Sequence, residues 1–252
     1  MITSVQLAGI WGFAAGSALL IGALTAWFLR VPERVTAALM SFSCGALLSA
    51  LAFELMGKAY QDAGLDTPAM GFITGMTVYT VANFFLSYRG ARHRKRSSRF
   101  QPSEAQERGS GLAIAAGSLM DGIPEAVVIG LSMTSGAMVS LVVFFAIFAS
   151  NIPEGLSSVA GMREAGRSPW YVFGVWVFIA VATAFIAMGA YWYFRELSPQ
   201  AIAAATAMSA GAILAMMADT MLPEAFSEEY DFAGFITALG FLVSFVLTSM
   251  GV

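Results

Sequence analysis

The sequence predicts an all-α polytopic membrane protein: eight transmembrane helices in a 3+2+3 inverted-repeat arrangement, both termini outside. Three observations carry this expectation. Of the 252 residues, 58% are hydrophobic and 12% charged, with a mean hydropathy of +0.74. Soluble domains carry about a quarter charged residues, so this chain is built for lipid. The basic residues are segregated into alternate connectors, and two stretches far apart in the chain resemble one another.

The spans follow from apolar runs of roughly 20 residues each. Residues 5–29 form the first; it lacks a basic start and has a long apolar core, so it reads as a retained helix rather than a signal peptide. The second covers 35–59, ending near Glu54 and Lys58, and a short acidic turn with Asp62 and Asp66 leads into the third, 67–88. Residues 89–108 then break the composition: Arg89, Arg92, His93, Arg94, Lys95, Arg96, Arg99 and Arg108 are interspersed with Ser, Gln and Pro. Such a run predicts a mobile polar connector. Residues 109–133 and 137–161 are the fourth and fifth spans, 169–194 the sixth, 199–222 the seventh and 232–251 the eighth. An acidic link from Glu224 to Asp231 joins the last two. The whole of 1–252 is expected to be one transmembrane domain.

Connectors after spans one, three, five and seven share one side of the membrane. They hold eleven Lys and Arg residues against two, Lys58 and Arg195, on the other side. That bias marks the first side as cytoplasmic, with 89–108 a basic cytoplasmic loop that also touches anionic lipid. Gly45–Ala59 and Gly211–Ala225 match at five of fifteen positions without a gap. Spans two and seven cross in opposite directions, as do four and five, and an inverted repeat pairs both sets.

Chemistry concentrates in the fourth and fifth spans. Asp121-Gly122-Ile123-Pro124-Glu125 and Ser150-Asn151-Ile152-Pro153-Glu154-Gly155 each put Ile-Pro-Glu inside an apolar run, where ionisable residues are costly and usually functional. Each proline frees the carbonyl four residues earlier, on Met120 and Ala149. Asp121 and Glu125 share a helix face, as do Ser150 and Glu154, with Asn151 three residues before Glu154. Packed face to face, these five side chains would converge near the bilayer midplane as a hard oxygen site, and a divalent cation between the carboxylates would relieve their repulsion. Glu54 and Asp219 lie nearer the span ends, as interfacial acids or as pathway residues. Cys44 and Met120 read as packing residues. The lone cysteine excludes a disulfide framework within one chain, and the lone His93 leaves no imidazole for an intramembrane site. An aspartyl protease on Asp121 and Asp219 lacks the glycine-flanked aspartate such enzymes carry, and no enzymatic activity is expected. The basic loop has no room for a folded nucleic-acid module.

At these residues the sequence resembles the ZIP family of metal-ion transporters, the Zrt- and Irt-like proteins. Family members carry His-Asn-x-Pro-Glu-Gly in the fourth span and His- or Gln-Asn/Asp-x-Pro-Glu-Gly in the fifth. The likeness covers the whole chain, including the long connector after span three and the Ala165-Gly166-Arg167-Ser168 run near the end of span five. It implies a divalent-metal carrier toward the cytoplasm, in which spans one, four, five and six slide against spans two, three, seven and eight. Position by position, Asp121, Glu125, Ser150, Asn151 and Glu154 match the family's primary metal site. Both motif histidines are replaced, by Asp121 and Ser150, and the fourth-span Asn is Gly122. That hardens the site and moves preference from zinc toward Mn, Fe or Co; zinc stays first and Cd is included. No cofactor beyond the transported metal is expected. The expected partners are the lipid bilayer, the divalent cation and a second copy of the chain in a homodimer, with the bacterial cytoplasmic membrane as location. Two alternatives stay open: a proton-coupled carrier of another cation, and a transport-inactive scaffold or sensor.

Overall fold

Apolar runs that cannot leave backbone polar groups unpaired in lipid close as helices, and the described residues contain helices and no strand. The computed structural model describes residues 3–96, 101–134, 136, 138–226 and 232–251; Arg99 of the basic connector and Asp231 of the acidic link lie outside them. Among the described residues, seven helices are long and apolar enough to cross a membrane: α1 (Ser4–Phe28), α2 (Glu33–Ala63), α3 (Asp66–Ala91), α4 (Ser110–Ser132), α5 (Leu141–Glu164), α6 (Pro169–Phe194) and α7 (Pro199–Ala225). The eighth, α8 (Ala233–Ser249), has 17 residues. At about 1.5 Å per residue it falls a little short of a hydrocarbon core about 30 Å thick. The chain is a multi-pass helical membrane protein.

Side-chain caps start several of these helices. Thr3 and Gln6 form a capping box on α1, and Ser140, Ser168 and Ser198 each accept from a first-turn N–H of α5, α6 and α7. Helix α5 therefore begins four residues later than the apolar run suggests. Helices α4 and α5 continue through Pro124 and Pro153. Wide π turns interrupt α2 over Ala50–Met56 and α7 over Met217–Met221, at matching places in the two similar stretches.

Helix α1 packs along α5 and α6, and α6 along α4; α3 pairs with α7, and α2 with α8. Contacts of α2 with α5 and of α4 with α7 join these sets, while α4 and α5 touch one another only briefly. Small residues bring backbones together at the crossings, as membrane helices require. A Cβ on Gly45 would sit 1.8 Å from the Thr237 carbonyl oxygen on α8, and one on Gly211 2.1 Å from the Phe72 carbonyl oxygen on α3. Gly45 and Gly211 head the two similar stretches, so the repeat is a packing repeat as well. Either Gly45→Leu or Gly211→Leu must push two backbones apart, and each is expected to cost about 3 kcal/mol or more. Loss of monodisperse protein on detergent size exclusion checks it; an unchanged elution profile and melting temperature would contradict it.

The basic connector departs from expectation. At its start Gly90 adopts φ 94°, a left-handed turn that bends the chain back toward the bundle. Arg94 and Lys95 are buried, at 0% and 3% exposure. Their polarity predicted solvent; partners distant in sequence reverse that. Further along, the Glu104 carboxylate accepts from Gly109 N and Gly111 N, both at 2.8 Å, and from Arg167 Nη1 at 2.7 Å, which fastens the connector to the start of α4. The Arg167 bond, reinforced by the two backbone N–H groups, holds the Glu104 carboxyl down at about 2. A depressed acid stabilises above its unfolded value of 4.5 and loses that contribution as pH falls through about 2. Protection of the Gly109 and Gly111 amides from hydrogen exchange is therefore expected to persist through mild acid and to fade near that lower value. Fading already around 4.5 would contradict the anchor.

Candidate functional site: a buried carboxylate cluster neutralised from within

Asp121 and Glu125 on α4 and Glu154 on α5 are all buried near the middle of their helices. Buried carboxylates need cations or hydrogen bonds, and the basic connector supplies the cations. Arg94 donates to Asp121 through Nε (2.8 Å to Oδ2) and Nη2 (2.7 Å to Oδ1). It also donates from Nη1 to Asn83 Oδ1 (2.9 Å) and to the Ala91 carbonyl (3.1 Å), and from Nη2 to Tyr79 Oη (2.9 Å). Those five bonds match the five N–H groups of a guanidinium. Tyr79 Oη in turn donates to Asp121 Oδ1 at 2.6 Å, and Asn83 Nδ2 donates to Asp219 Oδ2 at 2.9 Å.

Lys95 bridges the two helices. Its Nζ lies 2.7 Å from Glu154 Oε2 and 3.2 Å from Asp121 Oδ2, close in distance but poorly directed for hydrogen bonding. Burial by itself would favour the neutral amine, but Asp121 and Glu154 outweigh it and hold the Lys95 pKa above its ordinary value. Arg96 Nη1 continues the series, 3.5 Å from Glu224 Oε2, and Ser157 Oγ lies 3.1 Å from Glu224 Oε1. Glu224, expected in a loop, is thus buried at the end of α7. Three consecutive cations meet acids on α4, α5 and α7. Glu125 Oε1 and Glu154 Oε1 are buried without a hydrogen-bond partner.

Ser150 and Asn151 each donate to a backbone carbonyl. Ser150 Oγ donates to the Ile147 carbonyl of its own helix at 2.9 Å, and Asn151 Nδ2 donates to the Ala15 carbonyl of α1 at 3.0 Å. The Ala149 carbonyl freed by Pro153 accepts from Ser43 Oγ on α2 at 2.9 Å, so it is a helix-to-helix bond rather than an open ligand. The Lys95 side chain of the basic segment lies between Asp121 of α4 and Glu154 of α5. Among the described residues, no three His, Cys, Asp or Glu side chains approach closely enough to hold a metal ion.

Of the two outlying acids, Glu54 sits in the π turn of α2, paired with Lys58 and accepting from Ser140 Oγ at 3.2 Å. It lines a cavity of about 340 Å³ with Lys58, Asp62, Ser132 and Ser140; Val128, one turn beyond Glu125, lines it too. Asp219 lies in the π turn of α7 and reaches the carboxylate cluster through Asn83 and Arg94. Cys44 is buried in the core, as a packing residue should be.

Sequence reasoning missed Arg94 and Lys95 as site residues, together with Tyr79 and Asn83. The last two had a signal: they stand four apart in an apolar span, which puts two polar groups on one helix face. Arg94 and Lys95 had none, since their neighbours Arg92 and Arg96 carry the same charge. No protein-family model matches the chain, and no curated protein matches it significantly.

Proposed function

We propose that this protein carries divalent metal cations across its membrane toward the cytoplasm, zinc first, with Mn, Fe, Co and Cd as further cargo. One observation carries the reading: carboxylates of α4 and α5, buried in a membrane protein, are bridged by a positive charge at Lys95 Nζ. A position that already holds a cation between two acids is one a metal ion can take, with Glu125 close by in sequence and unpaired at Oε1. Asp121, Glu125 and Glu154 supply charge, and Ser150 and Asn151 supply neutral oxygens. The cavity beside Glu54 is the entry path, and Asp219 lies on the other end of the route.

The helix pairings support the 3+2+3 reading. Exchanging α1 with α6, α2 with α7, α3 with α8 and α4 with α5 turns the α3–α7 pair into α8–α2. The same exchange turns α1–α5 into α6–α4, and α2–α5 into α7–α4. The grouping of α1, α4, α5 and α6 favours the sliding unit that the resemblance to ZIP transporters implies, with both termini outside. The bacterial cytoplasmic membrane remains the proposed location.

The test is uptake of a metal series by proteoliposomes containing the purified chain. Zn²⁺ and Mn²⁺ should accumulate above the level of protein-free vesicles, with no response to organic cations. Absence of uptake for every metal would refute the reading. The bidentate Arg94–Asp121 pair favours the second reading, a transport-inactive scaffold, because a guanidinium with every N–H satisfied is a stable end state. Elemental analysis after dialysis separates the two: the scaffold retains no metal.

A further inference from the structure

The basic connector is seated as though α4 and α5 were shaped to receive it. Gly117 of α4 leaves room for the Arg94 side chain; a Cβ there would lie 2.7 Å from Arg94 Cδ. Gly161 of α5 does the same for the backbone, since a Cβ would lie 2.4 Å from the Arg96 carbonyl oxygen and 2.5 Å from Gln101 Nε2. Ser158 Oγ donates to the Arg94 carbonyl at 2.6 Å, and Ser157 Oγ donates to the Lys95 carbonyl. Gln101 Nε2 donates to the carbonyls of Arg94 and Arg96 at 3.1 and 3.2 Å. Two glycines, two serines and a glutamine therefore hold a tripeptide whose cations lie on the carboxylates.

We propose that residues 94–96 are a tethered occupant of the carboxylate site, so that the Lys95 ammonium and a divalent cation bind there in mutual exclusion. This rests on the divalent-cation reading above. The ammonium neutralises the acids but engages only one oxygen of each, leaving Glu154 Oε1 and Glu125 Oε1 without partners. A divalent ion concentrates twice the charge at one point and takes six or more oxygen ligands when it is Ca²⁺-like, fewer when it is Zn²⁺. It can engage the oxygens that the ammonium leaves unused. On its arrival the segment withdraws from Ser157 and Ser158, its cations return to water, and Asp121 is released from Arg94 to face the metal. The apparent affinity of the resting protein is then lowered by the fraction of molecules in which the segment is seated.

Two variants test this without touching a carboxylate. Lys95→Met removes the competing charge, and Gly161→Val wedges the segment off α5 with every charge retained. Equilibrium dialysis against Zn²⁺ and Mn²⁺, read by elemental analysis, is expected to show binding to both variants about tenfold or more tighter than to the intact chain. In the intact chain, tryptic cleavage after Arg94 and Lys95, mapped by mass spectrometry, is expected to rise when either metal is added. Equal affinity in all three proteins, with cleavage unmoved by metal, would overturn the proposal while leaving the transport reading intact. Failure of all three to bind any metal would overturn both, and the tripeptide would be a permanent structural counter-charge. If Lys95→Met does not fold, Gly161→Val and the cleavage map still decide the question.

Discussion

Replacing Glu125 and Glu154 together by Ala is expected to reduce metal uptake by proteoliposomes to the level of protein-free vesicles. The two residues are the acids on α4 and α5 with oxygens left unpartnered inside the bundle. With both gone, Asp121 is the one remaining carboxylate of the proposed site, and it is held by Arg94, Tyr79 and Lys95. A single acid occupied by a guanidinium cannot dehydrate a divalent ion, whose binding in a low-dielectric interior depends on opposite charge in direct contact. The double variant still contains Lys95, whose ammonium then faces Asp121 alone, so the bundle keeps a neutralising pair. Uptake that survives in the double variant, with protein inserted at normal levels, would show that the site assignment is wrong.

Arg94→Ala is expected to have the largest effect on stability, about 3–5 kcal/mol, because removing one partner of a buried ion pair strands the other. Asp121 would lose both guanidinium bonds, and the Tyr79 hydroxyl and Asn83 amide would each lose a donor. The fall should be visible as a lowered melting temperature in detergent by tryptophan fluorescence. Arg94→Lys keeps the charge but not the fork and should recover only part of the loss. Arg94→Ala combined with Asp121→Asn should be less damaging than the two single effects added, since the stranded charge is gone. Strict additivity would show that the pair is not the source of the stability.

What the sequence disclosed and what it withheld divide along a physical line. Apolar length is a local property, so α1 to α7 stand within a few residues of the expected spans, and α5 starts late, with Ser140 as its cap. The acids Asp121, Glu125 and Glu154 were equally legible, since a charge inside an apolar run declares itself without any knowledge of its neighbours. What neutralises those acids was not legible. Arg94 and Lys95 are buried by partners on α3, α4 and α5 that lie far away along the chain, and a basic connector looks the same whether it floats or inserts. The proline-freed carbonyl of Ala149 was predictable, but its capture by Ser43 depends on how α2 crosses α5. The π turns of α2 and α7 likewise left no mark beyond the weak repeat that contains them.

The tripeptide Arg94-Lys95-Arg96 also works as a gauge of helix position. Its charges reach α4 through Asp121, α5 through Glu154 and α7 through Glu224, so three helices are indexed against three consecutive residues of a turn. Sliding α4 and α5 past α7 by one helical turn, about 5.4 Å, would carry at least one acid beyond ion-pair reach. The gaps of 2.7, 2.7 and 3.5 Å leave no slack for such a shift. The segment therefore fixes the axial register of the bundle, and any large relative motion of these helices has to begin by breaking that ruler.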